Sequence, residues 1–298
     1  MARVVVHPIV EDMLVQHPTS ELGQYVDDLK AFMQDKDMVV LRGEAVKLTN
    51  DLIDGVKSSA LVVSGKTKVL ASSRSLAHVV KATAAAKGVQ VTIATAAPDL
   101  GADQSSGRRS VMTAKKRAGK AHCRDLKVIK LITKRPRVRL FNTAVMPQLV
   151  YGAECQGVAP TVLQRWRAMA ARHAGAKAGW CATTVLALDQ AAKDPVQLVQ
   201  KQVVLSFVRL WCEHPELWND IRAAWNQMVK NFAKVEPRYW WRQVKGPLAA
   251  AWATLSGLGW TADWPFRWIA PDGAAWNIDG TPGDIRACGW AILDGIRQ

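Results

Sequence analysis

Gly23-Gln24-Tyr25-Val26-Asp27-Asp28-Leu29 places two adjacent carboxylates between two apolar segments, Leu22–Val26 and Leu29–Met33, that are typical of short β-strands. Neighbouring side chains of a regular strand point to opposite faces, so both aspartates can serve one site only where the chain turns. The pattern therefore predicts a β-hairpin with the aspartates at its tip. Paired carboxylates repel one another unless a cation joins them, and hard divalent cations prefer carboxylate oxygen. The pattern therefore predicts half of a two-metal phosphoryl-transfer site, and an ordinary Asp-Asp turn is the alternative.

Outward from this hairpin, the chain changes from mixed α and β signals to helical ones. Hydrophobic periodicity predicts helices at about Glu44–Ser59 and Leu76–Lys87, with strands at Leu61–Leu70 and Val89–Ala94. The stretch Gly257–Gly273 is rich in Gly, Pro and Trp and is predicted to be a connector. An α+β protein with a mainly α-helical second half is indicated. The helical segments beyond about residue 105 are Arg137–Thr143, Thr161–Ala174, Pro195–Cys212 and Pro215–Phe232.

The positive charge is concentrated in one segment. The 298-residue chain has 40 Lys+Arg and 25 Asp+Glu, a net charge of +15. Residues 108–139, the basic segment, hold thirteen basic residues and one acidic residue, Asp125, and so supply +12 of that charge. Apolar residues recur there at helical spacing, which predicts one helix from about Ser106 to Lys134, ended by Pro136.

A nearly acid-free basic helix favours contact with a phosphate backbone, because few i,i+4 ion pairs can neutralise its charge. A solvated face of an ordinary helix is the alternative. The candidate nucleic-acid-binding residues are Arg108, Arg109, Lys115, Lys116, Arg117, Lys120, Arg124 and Lys127.

Composition excludes several classes of protein. Hydrophobic residues make up 49% and charged residues 22%, which does not fit a disordered or collagen-like chain. The five cysteines form no C-x-x-C pair, which argues against a disulfide framework or a zinc finger. No apolar run is long enough for a membrane span or a signal peptide, so we expect an intracellular protein of the cytoplasm or nucleus without a membrane partner.

Tryptophan is concentrated in the second half of the chain. Of 13 tryptophans, eleven lie between Trp211 and Trp290. Trp211, Trp218 and Trp225 are seven residues apart, which places them on one side of a helix or helix pair. The spacing favours buried anchors between helices; a base-stacking platform is the alternative.

Several motifs, in order, resemble a reverse transcriptase (RNA-directed DNA polymerase) of the non-LTR retrotransposon type. Tyr25-Val26-Asp27-Asp28 is similar to the family's Y-x-D-D motif on a palm hairpin. Ser64–Leu70 resembles the Lys-Thr segment after the palm helix, and Pro98–Ala102 resembles the Leu-Gly turn that opens the primer-gripping hairpin. The basic helix follows where the thumb begins, and Pro147–Glu154 resembles the Tyr-Gly-x-Glu segment that closes many thumbs. The resemblance covers about residues 1–175.

This resemblance implies a metal site at the hairpin. Asp27 would be the main ligand of Mg²⁺ (or Mn²⁺), Asp28 would assist, and Tyr25 would lie near the incoming nucleotide. An RNA template and a DNA primer would be the partners. The reaction implied is RNA-directed DNA synthesis by two-metal phosphoryl transfer.

Further roles are implied downstream of the hairpin. Lys66 would protonate the pyrophosphate leaving group, a role suited to a mobile ammonium, and Lys68 is the competing choice. Leu100 and Gly101 would shape the primer grip.

The end of the chain carries a weaker resemblance. Trp276–Thr281 and Ala287–Ile292 resemble the opening strands of a ribonuclease H domain, in which Asp279 would be a metal ligand. A short β-hairpin is expected at the C-terminus in either case, and an ordinary Asp-Gly turn within it is the alternative to the metal ligand.

Four domains follow from these expectations: residues 1–104 as the C-terminal half of a palm (a hairpin plus helices), 105–180 as a basic helical thumb, 181–262 as a Trp-rich helical connector, and 263–298 as a linker with possible ribonuclease H strands. The family's remaining metal-binding aspartate and its fingers lie far upstream of Y-x-D-D, and 24 residues precede Tyr25 here. We therefore expect an internal piece of a longer polyprotein that does not polymerise alone. A non-catalytic nucleic-acid-binding protein using the basic helix 106–135 is the alternative function.

Overall fold

A computed structural model shows a mixed α+β protein, as predicted, in which helices predominate. The chain divides into two compact units: unit 1 is residues 1–97 with 104–107, and unit 2 is residues 98–103 with 108–298. Along the part of the chain that is described, no helix is both long and apolar enough to cross a bilayer. The structure describes residues 2–25, 28–99, 102–105, 110–189 and 191–278, together with 283, 287, 289 and 290.

Unit 1 begins with a helix that covers the predicted hairpin. Ile9 and Met13 of the first helix are buried against the hairpin residues Leu22 and Leu29. The elements are α1 (Ala2–Gln16), β1 (Ser20–Tyr25), β2 (Asp28–Met33), α2 (Met38–Ser58), β3 (Lys68–Val69), α3 (Arg74–Ala86) and β4 (Thr92–Ile93). The next strands along the chain, β5 (Ala96–Asp99) and β6 (Ala102–Ser105), include residues of unit 2 and form a two-stranded sheet on either side of the predicted Leu-Gly turn.

Two boundaries in unit 1 differ from the predictions for physical reasons. Helix α2 starts six residues earlier than predicted because the Asp37 carboxylate caps it, accepting a hydrogen bond from the Val39 N–H at 2.7 Å. The strand predicted at Leu61–Leu70 is reduced to β3, because a turn with Thr67 N–H donating to the Ser64 carbonyl at 3.0 Å precedes it. Strand β3 pairs in parallel with β4.

Unit 2 contains most of the helices and one small sheet. Strands β7, β8 and β9 pair antiparallel in that order. The elements are α4 (Met112–Val128), α5 (Lys134–Leu140), a π-helical turn (Phe141–Val145), α6 (Met146–Val150), α7 (Ala153–Gln156), α8 (Pro160–His173), α9 (Ala182–Leu188), α10 (Pro195–Glu213), α11 (Trp218–Phe232), α12 (Gly246–Gly257), β7 (Thr261–Trp264), β8 (Arg267–Ile269) and β9 (Ala275–Asn277).

The basic segment is not one helix, so that prediction is wrong. Helix α4 ends at Val128, and Pro136 lies in the first turn of α5 instead of ending a helix. The first turn of a helix leaves its N–H groups without intrahelical partners, so the missing N–H of proline costs nothing there.

The small β-hairpin expected near the C-terminus is present and is formed by β8 and β9. The connector predicted at Gly257–Gly273 and the strand predicted at Ala287–Ile292 are wrong. Gly257–Gly273 contains the hairpin of β7 and β8, in which Ala262 and Trp268 are buried on one face while their neighbours are exposed. Residues 287, 289 and 290 are helical, not strand. A Cβ on Gly289 would lie 3.5 Å from the Leu205 side chain, so Gly289 packs closely on α10.

Tryptophan packing is confirmed in unit 2. Trp211, Trp225 and Trp268 are almost fully buried. Trp211 stacks on Trp218 with ring centroids 5.0 Å apart, and Trp225 Nε1 donates to the Ala262 carbonyl at 3.1 Å. These rings join α10 and α11 to the small sheet, as large aromatic anchors do.

Replacing Gly157 by alanine is expected to destabilise unit 2 by about 1–3 kcal/mol. Its φ is +60°, and an added Cβ would lie 2.7 Å from Trp241 Cζ3 and 3.3 Å from Ala250 Cβ. Urea denaturation followed by tryptophan fluorescence measures the effect, since all 13 tryptophans lie between residues 166 and 290. The matched control is Gly119→Ala in α4, where a Cβ meets nothing within 4 Å and a gain of up to about 1 kcal/mol is expected. Equal stability of Gly157→Ala and the wild type would contradict this prediction.

Candidate functional site

Helix α4 carries exposed lysines along one side. Lys116, Lys120 and Lys127, which we call the lysine stripe, fall within about 40° of one another at about 100° per residue. From the first of them to the last, the helix axis advances about 16 Å. Lys115 is exposed on one flank of the stripe. The prediction that these four lysines share an exposed helix is confirmed.

Asp125 lies on the opposite side of α4 from the lysine stripe. Its side chain is 1% exposed, and its Oδ1 is 2.6 Å from Nε2 of His173, which is equally buried at the end of α8. Arg172 donates to the other carboxylate oxygen at 3.3 Å. The His173 ring also stacks on Phe141, with ring centroids 4.7 Å apart. The single acidic group of the basic segment is therefore bound inside the unit, and the exposed surface of α4 carries none.

Arg117 and Arg124 occupy the other flank of the lysine stripe. Arg117 donates from Nη2 to the Tyr151 carbonyl at 2.9 Å, and its guanidinium lies 5.1 Å from the Tyr151 ring centroid. Arg124 donates from Nη1 to the Ala144 carbonyl at 3.3 Å. Both arginines were predicted to bind nucleic acid. They keep their charge, but these contacts make them part of the packing between α4 and the segment that follows α5.

Asp103 holds the N-terminal end of α4. Its carboxylate accepts hydrogen bonds from the Thr113 N–H at 2.9 Å and from the hydroxyls of Thr113 and Ser110. A carboxylate at this end of a helix satisfies N–H groups that have no intrahelical partner and interacts favourably with the helix dipole. The main-chain carbonyl of Asp103 also accepts from Gln156 Nε2 at 2.8 Å. Asp103 therefore fixes where α4 begins.

The predicted hairpin is present, but Asp28 is the first residue of β2 and not part of the turn in which both aspartates were predicted. Tyr25 pairs with Asp28 as the last pair of β1 and β2, and Asp28 is exposed. This pairing confirms the hairpin and places Asp28 beside its tip. Asp27 and the side chain of Tyr25 lie outside the described residues.

Lys66 lies on an exposed turn. Its N–H donates to the Ser64 hydroxyl at 3.2 Å, and the side chain is exposed. Lys68, the competing choice, opens β3 and is exposed as well. Equal exposure leaves both lysines as candidates.

The described residues include one of the two predicted hairpin ligands of Mg²⁺ or Mn²⁺, because Asp27 lies outside them. Asp28 offers the oxygen donor that hard divalent cations prefer. One carboxylate, however, supplies too few ligands, and no three His, Cys, Asp or Glu side chains that the structure describes are grouped to hold a metal ion. We therefore assign no metal-dependent step to this part of the chain.

The other predicted site residues lie outside the described residues. They are Leu100, Gly101, Arg108, Arg109 and Asp279.

Sequence reasoning missed the acidic contacts that position α4. Asp125 follows Ala118 and Ala121 at helical spacing and so lies on the apolar side of α4, which is the signal that a buried partner exists. That partner is His173, whose sequence spacing matches no site pattern. Asp103 gives no sequence signal, because its role depends on a hydrogen bond from Thr113, which is ten residues away in the sequence.

No protein-family model, curated protein or solved structure matches the chain.

Proposed function

We propose that the chain binds nucleic acid through α4, along the phosphate backbone and without base specificity. The observation that carries this proposal is the burial of Asp125 against His173, which removes the one negative charge of the basic segment from the exposed surface. The lysine stripe and Lys115 then face solvent with no acidic neighbour on the helix. Such a surface favours phosphate contacts, which carry most of non-specific nucleic-acid binding.

The salt dependence of binding tests this proposal. Anisotropy of a labelled DNA duplex is measured with the full chain over a range of salt concentrations. If three lysines each neutralise a phosphate, the logarithm of the association constant falls with the logarithm of salt concentration with a slope of about −3. Duplexes of different sequence are expected to give the same slope and affinity. Binding that does not change with salt contradicts the proposal.

A second proposal concerns the origin of the chain. We infer that it derives from a retrotransposon reverse transcriptase, with residues 1–104 as part of the palm and residues 105–180 as the thumb. Support comes from the β1–β2 hairpin with Asp28 beside its tip, and from paired strands on both sides of the Leu-Gly position followed directly by α4. In the intact parent enzyme, Asp27 and Asp28 would bind Mg²⁺ during DNA synthesis on an RNA template.

We expect the chain alone to show no primer extension with Mg²⁺ or Mn²⁺ on a primed RNA template. Two aspartates on one hairpin supply too few ligands to position two metal ions. Without an opposing carboxylate, each ion would keep too many water ligands. Gel analysis of a labelled primer measures extension, and Asp27→Asn serves as the control. Extension that is abolished by this substitution would overturn the expectation of inactivity.

A further inference from the structure

Trp180 is exposed, as are Trp264 and Trp290, in a unit where the other tryptophans are buried or partly buried. Its side chain is 57% exposed, whereas Trp211, Trp225 and Trp268 are exposed by 2% or less. It lies between α8 and α9, two residues before α9 begins. Core packing, which explains the buried tryptophans, does not explain an indole at this position.

Trp180 lines a groove of about 530 Å³ between the end of α8 and helix α9. Ala174, Val185 and Leu188 also line it and give it apolar walls, and Leu188 is 81% exposed. Ligand-binding clefts commonly enclose about 300–1,000 Å³. The size and the aromatic wall suit a flat ring system.

Two lysines place positive charge beside the indole. Lys177 Nζ lies 6.0 Å from the centroid of the Trp180 ring. Lys134, which opens α5, also lines the groove, and its Nζ is 2.9 Å from Oδ2 of Asp189. Burial alone would raise the pKa of Asp189, but hydrogen bonds from Lys134 and from the Ala191 N–H outweigh burial and lower the pKa. The groove region therefore carries two cations and one paired anion, a balance that favours an anionic ligand.

The groove adjoins the basic segment. Lys134 belongs to that segment and follows the end of α4 at Val128 by six residues. The buried contact between Asp125 and His173 joins α4 to the end of α8, the helix that leads to Trp180. Because Asp125 lies on the side of α4 opposite the lysine stripe, a strand whose phosphates lie on the stripe would have to pass around α4 to reach the groove.

We propose that this groove binds an unpaired base of a single-stranded nucleic acid, stacked on Trp180, while neighbouring phosphates of the same strand contact α4. The inference rests on the proposed nucleic-acid binding by α4 and adds a preference for strand form. Bases of a duplex are already stacked on their neighbours and present only their edges, so they do not enter such a groove. Stacking on an aromatic side chain tolerates any base, so no sequence preference is expected.

Trp180→Ala tests the stacking contact in the full chain. Affinity is measured by anisotropy for an unstructured pyrimidine oligonucleotide of about 12 nucleotides and for a duplex of the same length. Loss of one stacked base is expected to weaken single-strand binding about 5- to 150-fold and to leave duplex binding unchanged. Trp180→Phe keeps an aromatic face and is expected to retain most of the affinity. Trp264→Ala, which removes another exposed tryptophan outside the groove, is the matched control.

Cysteine alkylation in the wild-type chain gives a second readout that needs no substitution. Cys181 lines the groove and is exposed. Hydrogen bonds from the side chain and N–H of Thr184 and from the N–H of Thr183 lower the pKa of the Cys181 thiol. A lower pKa favours the thiolate, which is the form that reacts with alkylating reagents. Cys123 is exposed on α4, on the same side as the lysine stripe. Mass spectrometry then follows alkylation of each cysteine with and without the oligonucleotide or the duplex.

The two cysteines separate the two proposals. Both nucleic acids are expected to protect Cys123, and only the single strand is expected to protect Cys181. If Cys123 is protected while Cys181 reacts equally with and without the single strand, the groove inference fails and binding by α4 stands. If neither nucleic acid protects Cys123, binding by α4 fails as well. Unchanged single-strand affinity of Trp180→Ala, or an equal loss on the duplex, also overturns the groove inference.

Discussion

Replacing the three lysines of the stripe by alanine (Lys116→Ala, Lys120→Ala and Lys127→Ala together) is expected to weaken duplex binding relative to the wild type. The loss of affinity is expected to be up to about 500-fold larger at 0.1 M salt than at 1 M salt. The physical reason is counterion release: each lost phosphate contact removes about 0.9 units of slope in a plot of log affinity against log salt, or about eightfold over that decade of salt. The slope itself is expected to become shallower by about 3. Anisotropy titrations at several salt concentrations measure both quantities.

A charge-matched control separates position from net charge. Lys193, Lys230 and Lys234 are exposed residues of unit 2 outside α4. Their joint replacement by alanine removes the same charge and is expected to change the affinity much less and to leave the slope nearly unaltered. Equal losses in the two triple variants would mean that net charge, not α4, determines binding.

The second large effect is expected on stability. Asp125→Ala removes one partner of a buried pair and is expected to lower the free energy of unfolding of unit 2 by about 3–5 kcal/mol. His173 stays buried, and its Nε2 loses the oxygen that lies 2.6 Å away. Asp125→Asn retains an acceptor for His173 and is expected to lose less. Urea denaturation followed by tryptophan fluorescence measures the effect within unit 2, because unit 1 contains no tryptophan.

Glu236 provides the matched control for this loss. Its carboxylate is 2.6 Å from Arg238 Nε, and both side chains are more than 60% exposed. An exposed ion pair of this kind contributes about 0–1 kcal/mol, so Glu236→Ala is expected to change stability little. If Asp125→Ala is no more destabilising than Glu236→Ala, the Asp125–His173 contact does not hold α4 in place.

Local chemistry explains which elements were predictable. The β1–β2 hairpin was predictable from the two apolar segments on either side of Asp27-Asp28. The helices α8 and α10 were predictable from the helical spacing of apolar residues that are buried in unit 2. The prediction that Pro136 ends a helix is wrong because proline is compatible both with the end of one helix and with the first turn of the next. The prediction of a connector at Gly257–Gly273 is wrong because its two short strands are recognisable only from the burial of Ala262 and Trp268.

The candidate site was predictable in charge but not in geometry. The excess of lysine and arginine in residues 108–139 is a sequence property, and it correctly indicated an exposed cationic helix. Which cations face solvent depends on contacts between residues far apart in sequence, such as Arg117 with Tyr151 and Asp125 with His173. Single-sequence periodicity carries no information on such pairs.

Helix α4 is anchored near both ends, by Asp103 at Thr113 and by Asp125 at His173. The consequence concerns rates. A rigid helix that already presents its cations needs little ordering when it meets a polyanion, so long-range attraction controls the encounter. Association is then fast at low ionic strength and slows steeply as salt is added. Because backbone contacts are equivalent all along a nucleic acid, the bound chain can slide from one position to the next without dissociating fully.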